Sequence, residues 1–244
     1  MIIEWSQMPW NPIKGCKTRS EGCRHCWANT RAKTLQERGD PKYRNGFKLE
    51  VFEYPFHFDF EKLPPTRIFA GSMTDFFQDE IPEEYIIRVF YVILSNPKHL
   101  FLISTKFVER MHAMSSRLPW PVNLLMVVTV EHEKYKYRID LLRDTGAHHK
   151  AIFFEPLLSD MGEVNLEGIG WAFVGGESGP GFRAVQESWI RNLKSECDRQ
   201  GCEFIFKQWG GHPRESIDAR LDGRYYGRIP GVEIIQGDNS EAFT

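Results

Sequence analysis

Six short apolar runs recur along the chain: "RIFAGS" (67–72), "LFLIST" (100–105), "LLMVVTV" (124–130), "AIFFE" (151–155), "WAFVGG" (171–176) and "EFIFKQ" (203–208). Their hydrophobicity is continuous rather than alternating, which predicts strands covered on both faces, as in a parallel sheet. The intervals predict helices. One runs from Pro82 to about Asn96, with proline in its first turn followed by Glu83 and Glu84; others run from Val108 to Ser116, from Glu133 to Arg143 and from Glu187 to Gln200, the last stopped by Gly201. This alternation predicts right-handed βα units, in a barrel or a doubly wound sheet. The barrel is preferred because polar residues recur where successive strands end: Ser72, Ser104, Thr129, Glu131, Glu155, Gly175, Glu177 and Lys207. In a (β/α) barrel those ends meet at one mouth, whereas an open sheet spreads them along a line.

Two segments break the rhythm. "RNGFKLEVFEYPFHFDF" (44–60) is rich in aromatics and reads as a hairpin or a cover over the barrel floor. The tail from about Gly210 contains "LDGRYYGRIPG", whose "DGR" favours a terminal hairpin. There is no internal repeat and no low-complexity linker. A length of 244 residues fits one α/β domain, 1–244, with that tail as a C-terminal extension. The composition, 41% hydrophobic and 26% charged, is that of a globular chain with a full core. A net charge of −2 offers no overall steering field, so contact with nucleic acid needs a local basic patch. The opening "MIIEWSQMPW" lacks the features of a secretory signal, and no run reaches the length of a membrane span, so a cytoplasmic protein with no membrane partner is expected.

Five cysteines, three of them crowded together, suit a metal or redox site in a reducing compartment better than a disulfide framework. The three stand in "WNPIKGCKTRSEGCRHCW": Cys16, six residues, Cys23, two residues, Cys26, with Gly15 and Gly22 immediately before the first two. Glycine there lets backbone wrap closely around a metal centre. Three thiolates can anchor three irons of a [4Fe–4S] cluster and leave the fourth open to an exogenous ligand. The alternative is a zinc-stabilised, non-enzymatic binding module, with His25 or a distant histidine completing four ligands. Cys197 and Cys202 flank Gly201 at a helix end and read as small buried hydrophobes.

The run "WNPIKGC......GCRHCW", followed by "FAGSMTDFF", "FLISTKF", "VTVEH", "FFEPLLSD", "FVGGESGPGFRA" and "FIFKQWGG", resembles the often phage-encoded three-cysteine-motif family related to radical S-adenosylmethionine (SAM) proteins. A weaker likeness is to spore photoproduct lyase. The resemblance covers residues 4 to about 211 and implies a partial (β/α) barrel, radical SAM-like, with a [4Fe–4S] cluster and S-adenosyl-L-methionine as cofactors. The cysteine spacing departs from the common radical SAM pattern. Carried over by position, Cys16, Cys23 and Cys26 hold the cluster and His25 stands where an aromatic packs near the adenine. Ser72, Thr74 and Asp75 of "GSMTD" face the methionyl amino group, which needs an acceptor even when it chelates iron. Ser104 and Lys106 face the SAM carboxylate, and Thr129 and Glu131 the ribose. Glu155, Gly175, Gly176 and Glu177 complete the mouth. The implied activity is hydrogen abstraction by a 5′-deoxyadenosyl radical from a nucleic acid or nucleotide. The implied partner is a reducing donor such as flavodoxin or ferredoxin, in the cytoplasm of a bacterial host if the chain is phage-encoded.

Each of these residues also has an ordinary reading. Ser72 and Thr74 suit the N-cap of a following helix, Lys106 a solvated helix start and Glu131 an acid facing a helix dipole. A Gly pair after a strand more often marks a tight turn. Arg183, Lys207 and Gln208 are candidates for an anionic substrate, although Lys207 and Gln208 also read as structural, with Trp209 plugging the barrel end. Lys17, Arg19 and Arg24, then Lys42, Arg44 and Lys48, could contact phosphates or be solvated loop charges. Trp10 and Trp27 are candidates for covering the cluster loop, or for core packing. No catalytic acid or base is assigned.

Overall fold

The computed structural model describes residues 6–211 and 219–226. From the N-terminal side, β1 (Met8–Trp10) leads into β2 (Ile13–Lys14), which pairs antiparallel with β3 (Glu50–Val51). The main body adds β4 (Arg67–Ala70), β5 (Leu100–Thr105), β6 (Leu124–Thr129), β7 (His149–Phe154), β8 (Trp171–Gly175) and β9 (Glu203–Gln208). With β1 these form one seven-stranded sheet in the order β1-β4-β5-β6-β7-β8-β9. Every neighbouring pair in it is parallel. The sheet curls into a half-barrel, the partial (β/α) barrel that the strand and helix pattern predicts, and β1 and β9 remain its two edges.

Burial explains why the strand segments read as unbroken apolar runs. On the concave face lie Leu100, Leu102, Leu125, Val127, Ala151, Phe153, Phe173 and Ile205, and on the convex face Phe101, Ile103, Met126, Val128, Ile152, Phe154, Val174 and Phe206 pack in the larger core. Alternate residues share a face. Two positions beyond Leu102, Val127, Phe153, Phe173 and Ile205 stand Ser104, Thr129, Glu155, Gly175 and Lys207. The concave lining is thus apolar at the floor and turns polar at the carboxyl ends of the strands.

The helices are α1 (Trp27–Glu37), α2 (Glu83–Leu94), α3 (Val108–Met114), α4 (Tyr137–Arg143) and α5 (Glu187–Gln200). In α2, Tyr85, Ile86, Val89, Phe90 and Ile93 are the buried stripe. α5 ends on Gly201 in the left-handed region, with φ 70°, as the sequence predicts. The helix expected from Glu133 to Arg143 is divided: residues 133–135 form a 3-10 turn, whose Lys134 N–H donates to the His132 ring (3.4 Å), before α4 begins. α1 is absent from the sequence reading, because only Ala28 and Ala32 are buried on it and so small a stripe gives little periodic signal. Among the described residues, no helix is long and apolar enough to cross a membrane.

The aromatic segment 44–60 is neither a hairpin nor a floor cover. Its strand pairs with β2, and its aromatics pack against Trp10 of β1 and Tyr85 of α2, whose hydroxyl donates to the carbonyls of Pro12 (2.9 Å) and Phe52 (2.7 Å). Trp10 is therefore a core residue, 3% exposed, and does not cover the cysteine loop. Trp209 does not plug the barrel: it stacks edge-on against Phe206 on the convex side and donates to the carbonyl of Arg220 (2.9 Å), pinning the tail to the sheet. The tail forms the expected hairpin, β10 (Arg220–Leu221) with β11 (Arg224–Tyr225), turning on Asp222 (φ 53°) and Gly223 (φ 71°). The "RIPG" that follows lies outside the described residues.

Candidate functional site

The loop from Gly15 to Cys26 joins the β1–β2 corner to α1 and is tied down along its whole length. Gly15 begins it with φ 85°, its N–H donating to Met73 O (2.9 Å). A Cβ there would stand 2.3 Å from the Lys48 carbonyl oxygen, so only glycine fits both the angle and the space. The Gly15 carbonyl accepts from Thr74 Oγ1 (2.7 Å) and Gln78 Nε2 (3.1 Å). Farther on, Arg19 pairs with Glu109 of α3, Glu21 bonds Lys134 and Tyr135, and the Glu21 carbonyl accepts from Arg183 (2.9 Å). Gly22 lies directly on the side chain of Glu131.

Cys16, Cys23 and Cys26 are half-buried and line one cavity of about 190 Å³ at the carboxyl edge of the sheet. Its other walls include Ser72, Thr74 and Asp75 after β4, Ser104 and Lys106 at the end of β5, and Thr129 at the end of β6. Thr105, Phe107, Lys17, Arg19, Phe47 and Trp27 also line it. Phe107 and Phe47 are not among the residues the sequence singles out; the available signal was their position, Phe107 directly after "STK" and Phe47 between Arg44 and Lys48.

Several lining groups already have partners. Ser72 exchanges hydrogen bonds with the Asn11 amide, and the chain runs on to residue 83 before α2 starts, so neither Ser72 nor Thr74 caps a helix. Asp75 ties β4 to β5: its carboxylate accepts from Thr105 Oγ1 (2.7 Å), Lys106 N (2.7 Å) and Phe77 N (3.1 Å). Burial still raises the Asp75 pKa above the ordinary carboxylate value. The Ser104 and Thr129 hydroxyls and the Lys106 ammonium have no side-chain hydrogen bond among the described residues. Burial works against the Lys106 charge, but Cys23, Glu131, Cys26 and Asp75 outweigh it and raise its pKa. Burial, and then Asp75 and Cys23, push the Cys16 thiol up, so without a bound cation it keeps its proton. Cys23 Sγ accepts from Arg19 N (3.5 Å).

The remaining sequence-derived residues do not line this cavity. Glu131 is fully buried beneath Gly22 and paired with Arg138 Nη1 (3.0 Å), so it faces no ligand. Its Oε1 is buried without a partner among the described residues. His25 turns away from the thiols toward the loop after β8, with Nδ1 hydrogen-bonded to Glu177 Oε2 (3.0 Å). Arg183 is held by the same carboxylate, through Nε (2.9 Å) and Nη2 (2.5 Å), rather than waiting for an anion. Glu155 pairs with Lys207, which lies 5.3 Å over the Phe153 ring, and Gln208 Nε2 donates to Ser178 Oγ (2.8 Å). Gly175 packs against Gln208 and Glu155, and a Cβ on Gly176 would stand 2.0 Å from the Trp209 carbonyl oxygen. Gly176 therefore lets the loops after β8 and β9 cross at backbone contact, whereas Gly175 has room for a side-chain carbon.

Glu177 is a measurable part of this second cluster. It is buried, which by itself raises a carboxyl pKa, yet the Arg183 and His25 hydrogen bonds outweigh burial and lower it from 4.5 to about 2. A carboxylate depressed on folding contributes stability that is complete above its unfolded value and is lost as the pH falls toward the folded one. On the order of 2 kcal/mol is expected to disappear between about pH 5 and pH 2. Denaturant titration across that range checks this: Glu177→Gln should remove its share of the pH dependence and leave that of the other paired carboxylates such as Glu21, and an unchanged slope would contradict the assignment.

The chain is similar to spore photoproduct lyase complexed with dinucleoside spore photoproduct, at 11% identity, with a TM-score of 0.45, over 77% of this chain and 60% of that one. It is also similar to a mutant of that lyase with bound AdoMet and dinucleoside spore photoproduct, at 10% identity, with a TM-score of 0.47, over 79% of this chain and 61% of that one. The chain thus spans about three-fifths of the length of these solved structures. No curated protein matches it. The family model described as "Protein of unknown function (DUF5131)" matches residues 1–230, nearly the whole length, and the chain belongs to that family.

Proposed function

We propose that the chain is a radical SAM enzyme, holding a [4Fe–4S] cluster on Cys16, Cys23 and Cys26 and S-adenosylmethionine at the iron left without a protein ligand. The observation that carries this reading is that three thiols of one loop share a cavity with the polar ends of three neighbouring parallel strands. When bound and reduced, the cluster supplies the electron that splits the sulfonium S–C5′ bond, yielding methionine and a 5′-deoxyadenosyl radical able to take hydrogen from a substrate.

The chain's own residues supply position and charge. Lys106 offsets the thiolate charge and offers an ammonium to a carboxylate, and the Ser104 and Thr129 hydroxyls serve amino or ribose groups. Thr74 and Asp75 act one step back, fixing the cysteine loop and the end of β5. Phe47, Phe107 and the Trp27 ring limit water at the thiols. The electron comes from a low-potential donor of the flavodoxin or ferredoxin kind.

The zinc-module reading is less well supported. Zinc gathers four nitrogen or sulfur donors around one point, and among the described residues no three His, Cys, Asp or Glu side chains are placed to hold a single ion. A cluster distributes its thiolates over separate irons, so its sulfurs surround a small cube rather than meet at one ion. Anaerobic reconstitution with iron and sulfide is expected to give a brown protein with about four irons per chain. Reduction with SAM present should then release 5′-deoxyadenosine. A colourless chain that keeps one zinc and takes up no iron, or a fully loaded one that leaves SAM intact, overturns the reading.

A further inference from the structure

The charge of this chain is unevenly distributed. Between residues 14 and 48 there are ten Lys and Arg against three Asp and Glu, although the whole chain has 31 against 33. Folding keeps most of these cations available. Arg24, Arg31, Lys33 and Arg38, in and beside α1, are exposed, and among the described residues no carboxylate lies within ion-pair distance of any of them. Lys42, Arg44 and Lys48 continue the same exposed arm back toward Gly15, where the Lys48 carbonyl abuts the start of the cysteine loop. Ala28 and Ala32 form the buried stripe of α1, and its exposed residues include the cations Arg31 and Lys33 and one acid, Glu37; Arg24, Arg31 and Arg38, spaced by seven, follow one side of it.

Two exposed rings interrupt this surface: Tyr54, 53% exposed beneath the Lys42 ammonium, and Trp27 at the start of α1. Trp27 is 65% exposed although it lines the cavity. A large indole left in water at the rim of a site is an unusual arrangement for a side chain that has only packing to do. Within α1 its exposed neighbours one turn on are Thr30 and Arg31, so the helix itself offers a single flat ring. That is too little for the apolar centre of a protein–protein interface. A ring beside a row of cations is the combination that takes a stacked base and its phosphates.

We propose that the exposed side of α1 and the arm after it form a docking surface for a single-stranded polynucleotide, with the base nearest the cavity stacked on Trp27. The inference rests on the radical SAM reading for what happens in the cavity, but not for the binding itself. Phosphates lie along Arg24, Arg31 and Arg38, and the unpaired base at the rim is presented to the thiol-lined cavity.

The test uses the full chain and fluorescein-labelled single-stranded DNA and RNA oligonucleotides, read by anisotropy over a salt series. Binding is expected to weaken with salt, with a log–log slope of roughly −3 to −5 for four to seven phosphate contacts. Arg31→Gln with Arg38→Gln should lower the slope by about 1.4 and weaken binding several-fold. Trp27→Ala should weaken it about five- to a hundred-fold, and Trp27→Phe should restore most of that loss. Cluster absorbance of the Arg31→Gln, Arg38→Gln protein is expected to match that of the parent. A parent chain that binds oligonucleotide but assembles no cluster would separate the two proposals, overturning the enzyme reading and leaving the docking surface standing. The docking proposal is overturned by absence of binding at low salt or by affinity indifferent to these substitutions. It is overturned equally if a duplex of the same sequence competes as well as the single strand, or if an acidic protein such as flavodoxin occupies this side while the oligonucleotide does not.

Discussion

Arg138→Met is expected to cost about 3–5 kcal/mol of folding stability. Arg138 and Glu131 are 1% and 0% exposed, and the guanidinium lies 4.0 Å over the Tyr135 ring while donating to Thr129 O (2.7 Å) and Glu131 Oε2 (3.0 Å). Removing it leaves a buried carboxylate with neither partner nor water, along with an unpaired carbonyl at the end of β6. Because Glu131 lies under Gly22, the cysteine loop is expected to loosen as well. Denaturant midpoints measure the first effect and protease cleavage within residues 15–26 the second. The double variant Glu131→Leu, Arg138→Met should recover most of the loss, since an apolar pair of similar volume leaves no charge stranded. A single variant as stable as the parent would mean that the pair carries no structural charge balance.

The second large effect lies in the thiols. Replacing any one of Cys16, Cys23 or Cys26 by Ala is expected to reduce cluster absorbance and iron content more than tenfold while changing the stability of the metal-free chain by no more than about 0.5 kcal/mol. The three are half-exposed, and their hydrogen bonds are long contacts such as Cys16 Sγ to Lys17 O (3.3 Å), so little packing is lost. Cys197→Ala and Cys202→Ala should behave in reverse. Both are buried in the larger core, so about 1 kcal/mol of stability is expected to go while iron content stays. Iron assays beside melting curves separate the two classes. Iron retained in all three loop variants would exclude these sulfurs as ligands.

The scaffold was legible where burial is two-sided. Phe101 and Leu102, or Val127 and Val128, face opposite cores, so the strand segments are uninterrupted apolar runs with polar residues at their ends. Counting by two along those runs also places Ser104 and Thr129 in the mouth. What escaped the sequence depends on partners that only folding supplies. Glu131 ends a strand as a ligand-binding acid would, but Arg138 returns seven residues later on α4 and takes it into the core. Glu177 and Arg183 look like two site residues until the intervening turn folds them onto each other and onto His25. The Gly175–Gly176 pair resembles a ligand-binding turn, yet the need for glycine lies at Gly176 and comes from Trp209, just beyond β9. α1, with two buried alanines, gives too faint a periodicity to read, so Arg31, Lys33 and Arg38 are not joined in the sequence to the basic residues on either side that could contact phosphates.

The fastening of the cysteine loop bears on how a cofactor would be installed. Gly15, Arg19, Glu21, Gly22 and His25 are each secured to a different part of the scaffold by contacts that involve no metal. The entropy of ordering this stretch is met by the polypeptide itself, at about 1–2 kcal/mol per residue for the backbone. If the proposed cluster is held here, its assembly asks for little reordering of the loop, and a chelator is expected to remove it without melting the surrounding fold.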